Sequence, residues 1–134
     1  MRVGLLQHPL CAEHRLQPGH PEAPERLTTL LAHLARTGLD RDLVRIDDAP
    51  PVSATDVARV QPDTLLTRLE ALAPAAGLAH LDSDTWLCPQ TLPAARVAAD
   101  SATHAVDEIL ASRLDRAFCA VRPPGHHAET DLPM

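Results

Sequence analysis

Two adjacent histidines, His126 and His127, follow Arg122-Pro123-Pro124-Gly125 and come directly after an apolar run from Ala117 to Val121. Imidazole is the side chain whose proton affinity lies nearest neutral pH. A fixed pair of rings therefore suits taking a proton from one group and delivering it to another. The two prolines are a stiff way to fix them, and the apolar run reads as a buried strand that carries them to the rim of a sheet. Gly125 is expected to permit a backbone conformation and a close approach that a Cβ would block. Taken as two letters alone, the pair also fits an exposed polar loop, or a chance pair that binds a transition metal.

The rest of the chain supplies the elements that must place this pair. Val3 to Gln7 is a short apolar run and a first strand, followed by a His-, Pro- and Gly-rich loop from His8 to Pro24. Pro24 suits the first turn of a helix, where a missing N–H costs nothing. Leu27, Leu30, Leu31 and Leu34 then recur at helical spacing, and Gly38 is placed to end the helix in a left-handed cap. Leu43 to Ile46 is a second strand. Ser53 and Asp56 form a capping-box pattern for a short helix, and Pro62 opens another. Gly77 to Pro89, holding Asp82, Asp84 and Trp86, reads as irregular. A long helix from Leu92 to Ala111 carries an apolar line of Ala94, Ala98, Ala102, Ala105 and Ile109. Strands alternating with helices predict an α/β fold, a mainly parallel sheet flanked by helices. In such sheets ligands bind beyond the carboxyl ends of the strands, which is where the His126-His127 loop falls.

Composition narrows the function classes. The chain has 134 residues, enough for one domain with a core, and a net charge of −6. All 12 basic residues are arginine, and they form no cluster, which disfavours nucleic acid as a partner. With a single Phe, a single Trp and no Tyr, the core must come from Leu, Val and Ala. Cys11, Cys88 and Cys119 are widely spaced and odd in number, which reads as reduced thiols, with Cys119 a small core residue. No signal-like opening and no membrane-length apolar stretch is present, so a cytoplasmic protein with no membrane partner is expected.

Three blocks resemble the N-terminal part of the zinc-dependent deacetylase family, which includes histone deacetylases and acetylpolyamine amidohydrolases. The first is His8-Pro9, His14 and Gly19-His20-Pro21-Glu22-Ala23-Pro24-Glu25-Arg26-Leu27. The second is Leu81-Asp82-Ser83-Asp84-Thr85, and the third, the most specific, is Arg122 to Ala128. The resemblance implies an arginase/deacetylase-like fold, incomplete in this chain, and hydrolysis of acetyl or related acyl amides on lysine side chains or polyamines. It implies that His127 accepts a proton while His126 assists electrostatically. It places Arg26 on an internal channel for the released acetate, where a guanidinium suits a carboxylate; a surface arginine in the first turn of a helix is the alternative. His20 either shapes the rim of the site or is a loop histidine satisfied by backbone groups, and His8 and His14 are read in the same way. Asp100, His104 and Asp107 share a helical face that suits either a metal or, more simply, solvent. Asp82 and Asp84 are ligands or acids, or else residues that bend and cap the chain.

The chain also departs from the family pattern. The zinc ligands of the family, an Asp-x-His pair and a further Asp, fall after the histidine pair, where this chain has only Asp131. The family's transition-state tyrosine has no counterpart, and Gln61 stands where many relatives carry histidine. Residues 1–134 are thus expected to be the N-terminal portion of a single deacetylase-like domain, lacking its metal-binding part and inactive alone. Zinc is expected only in the complete enzyme, with no ligand in this chain. The alternatives are a non-catalytic relative that binds protein through an exposed sheet edge, homo-oligomers included, and a hydrolase of the related arginase-type fold.

Overall fold

The computed structural model describes residues 1–133. Strand β1 (Val3–Gln7) lies at the centre of a three-stranded sheet in the order β2-β1-β5, with β2 spanning Leu43–Ile46 and β5 spanning Arg116–Ala120. Both pairings are parallel: Val3 faces Leu43 on one side and Arg116 on the other, and Gln7 faces Ala120. Leu5 and Leu6 are consecutive yet both buried. Successive strand side chains point to opposite faces, so β1 is covered on both.

Helix α1 (Pro24–Thr37) forms as its pattern predicts, with Pro24 in the first turn and Gly38 at φ +71° accepting the left-handed cap. The Gly38 N–H donates to the Ala35 carbonyl and the Leu39 N–H to the Leu34 carbonyl, so the last turn is closed. The leucine stripe packs into a core of Leu5, Cys11, Leu27 and Ala120, with Leu30, Leu31, Leu34, Leu43, Val97 and Val121 around it. Helix α2 (Ala54–Ala58) starts at Ser53, whose hydroxyl accepts from the Asp56 N–H at 3.1 Å, and α3 spans Asp63–Leu72.

Four details differ from the sequence expectations. A 3₁₀ turn, Pro9–Ala12, interrupts the first loop and buries Cys11 completely. The stretch read as irregular contains a small antiparallel hairpin, β3 (Ala79–His80) and β4 (Trp86–Leu87), with the His80 and Trp86 rings 4.4 Å apart. Helix α4 (Thr91–Leu110) buries Ala94, Ser101 and Ala105, with Val97 packed on the core, while Ala102 and Ile109 are exposed. Three of the four steps in that line are of four residues, and each such step drifts round a helix that repeats every 3.6, so Ala102 and Ile109 leave the buried face. Finally, the strand expected to be buried is an edge strand, since β5 pairs only with β1 among the described residues. Its Phe118 is 46% exposed. Gly4 permits close packing here: a Cβ would meet Leu114 Cδ1 at 2.5 Å.

Candidate active site

The carboxyl end of β5 delivers the chain into Arg122, the residue on which the site is built. The residue is 4% exposed and its guanidinium uses every nitrogen. Nε donates to Glu22 Oε1 and Nη2 to Glu22 Oε2, both at 2.7 Å. Nη1 donates to the carbonyls of Cys11 at 2.8 Å and His14 at 3.1 Å. A planar fork matched to a carboxylate is the strongest geometry available to such a pair. It ties the end of β5 to the loop before α1 and to the turn after β1.

The surroundings of this pair are themselves polar and buried. His14 is 3% exposed; its Nδ1 pairs with Thr91 Oγ1 at 2.9 Å, and its Nε2 lies 4.0 Å from Glu22 Oε2. Burial, and then the Arg122 charge, hold the His14 pKa down to about 4, against the pull of Glu22. The ring is therefore neutral at pH 7. Glu22 is held below the usual carboxylate range. Burial opposes this, and the hydrogen bond and charge of Arg122, with His14 and Arg26, outweigh it.

Beyond Arg122 the peptide to Pro123 is cis, and the chain turns tightly, the Ala128 N–H donating to the Gly125 carbonyl at 3.1 Å. His126 and His127 stand on this turn with ring centroids 4.3 Å apart and planes tilted by 52°. Both are exposed, and among the described residues neither ring is hydrogen-bonded to protein. Beyond them, Gln61 Nε2 donates to the Glu129 carbonyl at 3.2 Å and so holds the far side of the turn.

His126 and Arg26 line one groove of about 430 Å³, together with Glu22, Arg122, Leu27 and Phe118. Arg26 is 66% exposed on the first turn of α1, with Nη1 3.7 Å from Glu22 Oε1. His20 does not join that groove. It lines a neighbouring one, its Nδ1 accepting from the Glu22 N–H at 3.0 Å and its Nε2 pairing with Asp84 Oδ1 at 2.9 Å. Neither reason expected for Gly125 operates among the described residues: its φ is not left-handed, and a Cβ there would meet nothing within 4 Å.

Other candidates resolve into structural parts. Asp82 accepts from the Asp84 and Thr85 N–H groups and bends the hairpin turn. His8 Nδ1 caps the 3₁₀ turn by accepting from the Leu10 N–H. Asp100 is not in a solvated stripe, because it is buried and accepts from the Val52 N–H at 2.8 Å. Cys119 is half-buried, and burial pushes its thiol up, in keeping with packing. The members that sequence reasoning passed over are Glu22 and Arg122. Both stand inside the blocks that resemble the deacetylase family, yet no local spacing pairs two residues a hundred positions apart.

The sequence pattern of the histone deacetylase domain matches residues 20–134. The chain belongs to the histone deacetylase family. It is 39% identical over 116 residues to a histone deacetylase-like amidohydrolase of Pseudomonas aeruginosa, covering 87% of this chain and 30% of that relative. It is 28% identical to the polyamine deacetylase HDAC10 of Homo sapiens, covering 96% of this chain and 20% of that protein. The crystal structure of an HDA15 HD domain superposes with a TM-score of 0.88 at 25% identity, covering 99% of this chain and 39% of that one. The α/β fold with a parallel sheet is therefore the histone deacetylase fold, and the chain spans only part of the length of these family members. Zinc, which the family generally uses, does not fit the described residues. They contain no group of three or more His, Cys, Asp or Glu side chains able to hold a metal. Among the described residues no helix is long and apolar enough to cross a membrane.

Proposed function

We propose that residues 1–134 carry the proton-handling part of a deacetylase that hydrolyses acetyl or related acyl amides of lysine side chains or polyamines. The observation that carries this reading is the tilted His126–His127 pair at the carboxyl end of β5, beside a groove that Arg26 also lines. His127 takes the proton of the attacking water and returns it to the departing amine nitrogen, and His126 assists electrostatically. Arg26 offers its guanidinium to the carboxylate product. Gly125 belongs to the site as part of the turn that presents the rings, and His20 as part of its rim. Zinc, if the reaction uses it, takes its ligands from outside the described residues. A cytoplasmic setting belongs to the same proposal.

Acetate release from an acetyl-lysine peptide and from an acetylated polyamine tests this. The 134-residue chain alone is expected to release none above the buffer rate. The same residues fused to the C-terminal remainder of the Pseudomonas aeruginosa relative are expected to release it. A folded fusion that releases no acetate from either substrate contradicts the proposal.

A second reading rests on β5, whose outer edge is unpaired among the described residues and whose Phe118 is exposed. An open edge of this kind favours strand addition by another protein or a second copy. Concentration-dependent self-association that Phe118→Ser abolishes would support it, and a monomer at all concentrations would count against the homo-oligomer.

A further inference from the structure

We infer that Glu22 is a positioning residue for the candidate site: its bidentate grip on Arg122 sets where the His126–His127 turn leaves the sheet. The turn is suspended between two ties. One is Arg122, four residues before His126, and the other is the hydrogen bond from Gln61 Nε2 to the Glu129 carbonyl. Between them the only backbone hydrogen bond among the described residues joins Ala128 to Gly125. Among the described residues neither imidazole is hydrogen-bonded to protein. The rings thus inherit their position from the ends of the turn, and Arg122 is by far the firmer end.

Arg122 in turn depends on Glu22. Two of its four hydrogen bonds, the charge-assisted pair at 2.7 Å, go to that one carboxylate. The other two go to neutral carbonyls, which do not compensate a buried charge. The charged and titratable groups facing Glu22 are Arg122, Arg26 at 3.7 Å and the neutral His14 at 4.0 Å. The carboxylate sits between the guanidinium that leads into the histidine turn and the guanidinium that lines the groove. Glu22 reaches neither ring directly, so its part in the chemistry would run through Arg122.

This inference rests on the proton-handling role proposed for the two rings, and its test reads ring geometry without turnover, so an inactive enzyme would not sink it. In the full chain, the ring carbon–proton signals of His126 and His127 and the ring-to-ring nuclear Overhauser contact are recorded. His33, exposed on α1, and the amides of β1 serve as internal controls. Glu22→Gln is expected to move both ring signals toward those of free histidine and to abolish their mutual contact, while His33 and β1 stay in place. Glu22→Asp, which keeps the charge, is expected to retain that contact. A tie that served stability alone would lower the melting temperature and leave the rings as they were. A folded Glu22→Gln protein with unchanged His126 and His127 signals therefore overturns the inference. Should Glu22→Gln not fold, Arg122→Lys, which keeps the charge and loses the fork, decides in the same way.

Discussion

Arg122 and the His126–His127 pair are separated by three residues and live in opposite surroundings. Arg122 is 4% exposed with every guanidinium nitrogen engaged, whereas both imidazoles are exposed and free of hydrogen bonds among the described residues. The base of the site is over-determined and its working end is open. The difference separates the residues that hold this region together from those proposed to do its chemistry. Stability should respond almost wholly to the first group, whereas loss of the second should spare stability.

The largest expected effect falls on the base. Arg122→Met leaves the Glu22 carboxylate, 16% exposed, without its partner and should cost about 3–5 kcal/mol in urea unfolding. A loss under about 1 kcal/mol, the scale of an exposed pair, would erase the contrast.

Acid should find the same weak point. His14 stays neutral in the folded chain down to about pH 4. The unfolded chain takes up that proton near pH 6.5, so stability falls as pH drops between these values, by about 3 kcal/mol in all. Glu22 adds to the loss at lower pH. Its folded pKa is depressed, so the stability it contributes is present above the ordinary carboxylate range and is lost as pH falls through the folded value. His14→Gln should flatten the fall between pH 6.5 and 4, as urea midpoints across that range will show. An unchanged slope would mean that His14 is not the group responsible.

The smallest effect belongs to the working end. His126→Ala and His127→Ala should each change unfolding free energy by no more than about 0.5 kcal/mol, since both residues are exposed and neither ring is hydrogen-bonded among the described residues. A larger loss would show that the rings belong to the base after all.

The same division marks what the sequence disclosed. Helix α1 was legible because its determinants are local: Pro24 at the start, four leucines at helical spacing and Gly38 at the end. The position of the histidine turn beyond a parallel strand was legible for the same reason. The grip of Glu22 on Arg122 was not, because it joins residues far apart in sequence and leaves no periodic trace. Asp100 was misplaced for a related reason. Only the fold brings the Val52 N–H to it and turns a polar position of a helix into a buried acceptor. The exposure of β5 was also hidden, because an apolar run reads alike whether a strand has one neighbour or two.

The most direct measurement is the rate of acetate release by residues 1–134 fused to the C-terminal remainder of the Pseudomonas aeruginosa relative, with and without His127→Ala. The account predicts that the substitution lowers the rate by about 10²–10⁴-fold at unchanged unfolding free energy, the share that a positioned proton-transfer group contributes. Equal rates for the two proteins would contradict it.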